Sequence, residues 1–273
     1  MLIPRVIPCL LLRSRGLVKT TKFRRPVYLG DPVNVIRIFN EKEVDEVILL
    51  DITATLEQRE PNFSLLEEIS SECFMPLAYG GGVRTTSQMR TLYSLGIEKV
   101  ALNTAAIDNP ALISEAASCF GSQSVAVSID VKKDWKRRYR VVTSCGRRMT
   151  TLDPVAFAVS MQQHGAGEVI LNNIGRDGTM KGYDLDLVRS VTSCLDIPVI
   201  ACGGAASVSD LAGVVRKGRA SAAGAGSMFV FQGLHRGVLI SFPSHAELEK
   251  AFAGTEPGWE YSPQGQSAAN GKG

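Results

Sequence analysis

Histidine is nearly absent and cysteine is scarce: the 273-residue chain holds three of the first and six of the second. The cysteines stand at 9, 73, 119, 145, 194 and 202 with no Cys-x-x-Cys pair and no histidine at ligand spacing, so neither zinc nor a disulfide framework is indicated. Cys9, Cys194 and Cys202 lie in apolar runs and read as buried thiols of a reducing compartment. No apolar run approaches the ~20 residues of a membrane span, and no membrane partner is expected. The opening MLIPRVIPCLLL lacks a basic leader and a small-residue cleavage site, so it reads as a first strand and the protein as cytoplasmic. A net charge of +3 is too weak to argue for nucleic acid. No G-x-C-x-G elbow occurs, since Cys145 sits in TSCGR and Cys202 in ACGG, so the chain is not expected to hydrolyse glutamine itself. No metal and no organic cofactor are expected.

What is present is a regular alternation. Short apolar, β-rich runs recur at 5–12, 46–51, 75–80, 99–103, 124–130, 168–173, 197–202 and 220–226, with helical segments between them. Eight such runs predict an α/β fold, a (β/α)₈ TIM barrel, over residues 1–253. Asp31-Pro32, Asn109-Pro110 and Asp153-Pro154 each set a capping side chain before a helix-starting proline, Ser207 with Asp210 makes a capping box, and Gly96, Gly121, Gly165 and Gly218 mark helix ends. Residues 254–273 are small, polar and rich in Gly, Ser and Pro, which predicts a disordered tail.

The barrel is predicted to be two similar halves. EVILLDI at 46–52 matches EVILNNI at 168–174, and the same shift of 122 carries Pro76 onto Pro198, Gly81-Gly82 onto Gly203-Gly204 and Gly96 onto Gly218. Each half has a strand ending in glycines and then one ending in small residues: YGGGV at 79–83 with LNTAA at 102–106, and ACGGA at 201–205 with GAGSM at 224–228. Glycine lets main-chain N–H groups approach an anion, so one phosphate is expected near Gly82, Asn103 and Thr104 and another near Gly204, Gly226 and Ser227, with an added amide from Gly178. One such pair alone would serve a tight turn equally well. Two at symmetric positions favour a ligand with a phosphate at each end, or a diphosphate of similar reach.

Barrel chemistry sits at the C-terminal ends of strands, which makes Asp51, Asp130, Asn173 and Asp177 the polar candidates. Asp130 closes the apolar run VAVSID and is placed for proton transfer, unless it is a structural acid paired to a Lys or Arg. Asp51 reads equally as a backbone anchor in a βα loop.

Arg5, Cys9 and Lys19, with LLDITA at 49–54, GGGV at 80–83, LNTAA at 102–106, FGSQSVAVSID at 120–130, GRDGTMKGYD at 175–184 and CGGA at 202–205, resemble the cyclase subunit of imidazole glycerol phosphate synthase, the HisF family, to about residue 230. The resemblance implies a glutaminase partner whose ammonia travels through the barrel and attacks a phosphoribulosyl nucleotide, giving imidazole glycerol phosphate and AICAR. It makes Asp130 the family's second catalytic aspartate, puts Lys19 on a flexible loop that closes over substrate, and gives Arg5, Glu46, Lys99 and Glu168 the role of the charged ring that gates the ammonia channel. A solvated rim is the other reading of those four charges.

Two departures qualify the match. The family's first catalytic aspartate falls at Leu11, and Gly175 replaces the first acid of the motif that ends in Asp177. Losing one of two proton-transfer groups typically costs ~10²–10⁴ in rate. The departures resemble a branch associated with surface-polysaccharide acetamidino sugars. The first expectation is therefore an ammonia-using synthase subunit of that branch, bound to a separate glutaminase. The alternatives are the standard histidine-pathway cyclase, the related sugar-phosphate isomerase barrel, and a non-catalytic ammonia conduit.

Overall fold

The computed structural model describes residues 3–233 and 235–253; the tail expected over 254–273 lies outside the described residues. Eight parallel strands close on themselves: β1 (Arg5–Arg13), β2 (Val47–Asp51), β3 (Leu77–Gly80), β4 (Lys99–Leu102), β5 (Val125–Lys133), β6 (Glu168–Asn173), β7 (Val199–Cys202) and β8 (Ala222–Ala225). Each pairs with the next, and β8 returns to β1 through Arg5 opposite Ala222. The predicted (β/α)₈ barrel is what the chain forms.

Eight helices cover it: α1 (Pro32–Glu41), α2 (Phe63–Ser70), α3 (Thr86–Ser94), α4 (Ala111–Phe120), α5 (Pro154–Gln163), α6 (Leu185–Thr192), α7 (Val208–Gly218) and α8 (His245–Phe252). Asp31 and Asp153 cap α1 and α5 ahead of their prolines, and Ser207 and Asp210 form the expected box at α7. Two expectations are corrected. Asn109 does not cap α4, whose N-cap is Pro110 with no side-chain bond, because Asn109 already ends the short helix Thr104–Asp108. Gly218 stays helical while Arg219 takes the left-handed cap at φ 58°; a Cβ at Gly218 would come 3.0 Å from Val188, so this glycine serves close packing of α7 on α6.

Side chains alternate across each strand, and that parity builds two cores. One set faces the helices, including Val6, Leu49 and Val127. The other fills the barrel with one residue per strand: Ile7, Ile48, Ala78, Ala101, Ala126, Ile170, Ile200 and Ala222. Below this layer lie Arg5, Glu46, Lys99 and Glu168; above it the same parity leads to the mouth.

Strands β1 and β5 run past the barrel, and each folds back as an antiparallel hairpin, with Leu11 opposite Val18 and Asp130 opposite Val142. The segment carrying Lys19 is therefore an ordered strand, Gly16–Thr21, paired with Arg24–Gly30, and Lys19 is buried. The expected loop is thus a hairpin arm. Cys194 is also not buried: it is exposed, while Cys9 and Cys202 are half-buried with their Sγ atoms 3.7 Å apart.

Candidate active site at the barrel mouth

A cavity of about 370 Å³ opens at the C-terminal ends of the strands, lined by Lys19, Gly82, Asn103, Thr104, Asp130, Asp177, Gly178, Gly204, Gly226 and Ser227 among others. Four buried polar side-chain atoms lack a partner among the described residues: Thr20 Oγ1, Asn172 Oδ1, Asp177 Oδ2 and Ser227 Oγ. All four belong to residues of this cavity wall. Unsatisfied buried polar atoms are rare in folded proteins, and their convergence on one cavity marks it as a place where a bound ligand or ordered water completes the bonding.

Three carboxylates line the cavity, and they differ in state. Asp51 is fully engaged: it accepts from Thr53 N (3.0 Å) and Ala54 N (3.1 Å) and takes Arg59 Nη2 on both oxygens (2.9 and 2.7 Å), with no exposed side-chain surface. Asp177 holds the ammonium of Lys19 at 2.8 Å through one oxygen only. Asp130 has no cationic partner among the described residues; its oxygens accept from Asn172 Nδ2 (3.0 Å) and Asn103 Nδ2 (3.3 Å). Burial pushes its pKa up to about 7, the Asn172 bond opposes the rise and the nearby Asp177 charge adds to it. A carboxyl that titrates near neutrality can both give and accept a proton at working pH.

Strand parity changes the reading of two expected ligands. Because Glu46 and Glu168 face the barrel axis, Leu50 and Asn172 face the mouth on their strands; Asp51 and Asn173 have the other parity, and of these two only Asp51 reaches the cavity wall. Asn173 does not line the cavity: it accepts from Gly175 N (2.8 Å) and donates to Asp184 (2.7 Å). Asp51 and Asn173, 122 residues apart in the repeat, thus perform the same task of tying down the following loop. Asn172 was missed, and counting by twos from Glu168 would have found it. On β1 the same parity runs Arg5, Ile7, Cys9, Leu11, so Leu11 lines the cavity.

The two glycine-rich grips have matching backbones. Asn103 (φ −117°, ψ −82°) and Gly226 (φ −118°, ψ −71°) precede the short helices Thr104–Asp108 and Ser227–Val230, and no side chain caps either one. Gly82 and Gly204 have φ of 76° and 120°, and a Cβ at Gly204 would lie 2.2 Å from Gly182 O, so only glycine fits there.

At the opposite end the four charges form a closed cycle. Arg5 bonds Glu46 and Glu168, and Lys99 reaches Glu46 at 3.0 Å and Glu168 at 2.8 Å. Both glutamates are buried, so the group is a plug across the barrel floor rather than a solvated rim. Burial alone would lower the Arg5 pKa; Glu168 and Glu46 outweigh it and hold the guanidinium charged.

The family model described as Histidine biosynthesis protein matches residues 5–235. The chain belongs to that family. It is 51% identical over 245 residues, 90% of this chain and 98% of the relative, to a Pseudomonas aeruginosa protein provisionally named imidazole glycerol phosphate synthase subunit hisF2. Over 253 residues, 92% of this chain and 97% of the relative, it is 46% identical to a Vibrio vulnificus protein provisionally named subunit hisF3. It is also 42% identical over 229 residues, 84% of this chain and 91% of the relative, to imidazole glycerol phosphate synthase subunit HisF of Alkaliphilus metalliredigens. Within the histidine biosynthesis family it is a divergent HisF paralogue, and Leu11 at the mouth is where that divergence meets the site.

Proposed function

We propose that this HisF paralogue is an ammonia-using synthase subunit. It takes ammonia from a separate glutaminase docked under the Arg5–Glu46–Lys99–Glu168 plug and delivers it to a phosphorylated acceptor, in amidination of a surface-polysaccharide sugar. The observation that carries this reading is the asymmetry of the mouth: among the described residues Asp130 is the one cavity carboxylate without a cation, and the strand opposite presents Leu11. A cyclisation that needs two proton-transfer groups has one here. Adding ammonia to an acyl carbon, with the carbonyl oxygen leaving as water, moves two protons from nitrogen to oxygen, and one group can carry both in turn: ionised Asp130 takes a proton from the attacking nitrogen and gives it to the carbonyl oxygen, then takes a second from the same nitrogen and gives it to the departing hydroxyl as the C=N bond forms. Leu11 and Leu50 supply an apolar wall suited to the methyl of an acetamido group.

The acceptor's phosphates are assigned to the two grips. Inorganic phosphate or sulfate is expected to occupy the amides near Gly82 and Thr104 and those near Gly204 and Ser227 in crystals grown with either anion. A crystal with neither site filled would remove the phosphorylated acceptor from the proposal.

The ring is assigned to ammonia entry. Lys99→Ala should weaken coupling to the glutaminase and spare turnover driven by added ammonium. Equal loss from both nitrogen sources would place Lys99 in folding instead. A second reading, the standard cyclase of histidine biosynthesis, is favoured by the 42% identity to the Alkaliphilus HisF subunit. Assay with the phosphoribulosyl nucleotide and ammonium separates the two.

A further inference from the structure

The hairpin that extends β5 carries KKDWKRRYR at 132–140. Six cations and one acid give these nine residues a net charge of +5 against +3 for the whole chain, so the remainder sums to −2. The charge is concentrated on one projection.

Asp134 fixes the turn. Its Oδ1 accepts from Lys136 N (2.8 Å) and Arg138 N (2.9 Å), and its Oδ2 takes the guanidiniums of Arg138 (3.1 Å) and Arg140 (3.3 Å). Lys132, Lys133, Lys136 and Arg137 then have no carboxylate partner among the described residues. Trp135 stands at the tip, 85% exposed, with the Lys136 ammonium 4.6 Å from its ring centre. The tip lies five residues beyond Asp130, roughly 16 Å along an extended strand, and does not line the cavity. Across the barrel, β1 occupies the diametric position, and its hairpin exposes Lys22, Arg24, Arg25 and Tyr28 on the same face.

Three polyanionic partners compete for such a surface. A stable protein interface needs about 800 Å² from each side, more than one indole at the end of a narrow hairpin supplies. A long nucleic acid would need a continuous basic track, whereas the two basic hairpins stand on opposite sides of a mouth lined by Asp51, Asp130 and Asp177. A flat anionic surface meets only the projecting tips, and an indole ringed by cations on flexible stems is the composition that settles at lipid headgroups. We infer that residues 132–140 dock the mouth face on an anionic lipid bilayer, with Trp135 at headgroup depth and Lys132, Lys133, Lys136 and Arg137 against lipid phosphates. This is a surface contact, which the absence of a spanning helix among the described residues leaves open.

The test uses the full chain and vesicles of phosphatidylcholine alone or mixed equally with phosphatidylglycerol. At about fivefold per cation near the surface, four free cations predict a preference of several hundredfold for the anionic vesicles at low salt. The double variant Lys136→Glu/Arg137→Glu should lose at least ~25-fold of that binding with an unchanged circular dichroism spectrum. Since the chain has two tryptophans, Trp259→Phe leaves Trp135 as the single indole, and its emission should shift to the blue on anionic vesicles alone. Equal partition into both vesicle types, an unshifted emission or full binding by the double variant overturns the inference. Retention on an immobilised soluble polyanion without vesicle binding overturns it too, and assigns the charge to a soluble partner.

Discussion

Asp130→Asn is expected to reduce product formation about 10²–10⁴-fold, equally from glutamine with the glutaminase and from added ammonium, while leaving glutaminase binding intact. The substitution keeps the shape but cannot exchange the proton. Wild-type turnover should show an ionisation near the Asp130 value of about 7, and the residual activity of the variant should not. A second readout follows from the same burial. The folded pKa lies above the ordinary 3.8, so the neutral form is the one the fold favours. Its stability contribution is whole below about 3.8 and is lost as pH rises through about 7, a ceiling on the order of 4 kcal/mol. The asparagine variant lacks that slope, so its melting temperature should improve relative to wild type between pH 4 and 7. One cost runs the other way: the carboxylate accepts from both Asn103 and Asn172, whereas an amide must turn its NH₂ toward one of them, for about 1–2 kcal/mol. Full activity of Asp130→Asn in cells would make the conduit reading the better one.

The second large effect is at Leu11. Given the phosphoribulosyl nucleotide and ammonium, the wild-type chain should form little or no imidazole glycerol phosphate, because the β1 side of the mouth cannot move a proton. Leu11→Asp restores a carboxylate facing the cavity and should raise that product by about 10² or more. The new acid sits where the leucine is 8% exposed, so the variant should also lose stability, and far-UV circular dichroism is needed to confirm that it folds. Wild-type turnover at the level of an ordinary cyclase would sink the paralogue reading, whatever the variant does.

Much of this was legible in the chain because it is local. Eight strands, the half-barrel repeat and the caps at Asp31, Asp153 and Ser207 follow from short-range pattern and chain chemistry. At Asp51 the structure takes the backbone-anchor alternative, and the error at Asn173 came from treating the end of a strand as a single place. Successive side chains face opposite sides, so a strand that turns Glu168 inward must turn Asn173 outward. The environment of Lys19 was not legible: its burial needs Asp177, 158 positions away, and a hairpin whose pairing no nearby residue announces. Nor do the orphaned atoms of Thr20 and Ser227 leave a sequence signal, since an unmet hydrogen bond is a property of the assembled wall.

The asymmetry between Leu11 with Leu50 and Asp130 with Asn172 bears on the direction in which a ligand lies. If the two glycine-rich turns each hold a phosphate, as proposed, a two-fold frame would accept a ligand with phosphate at both ends either way round, and half of the bound molecules would present the wrong end to Asp130. An aliphatic lining on one side and a hydrogen-bonding lining on the other lifts that degeneracy, and a difference of about 1.4 kcal/mol already sets a tenfold preference. The half of the barrel that presents Leu11 would then have a task of its own, which is to decide orientation.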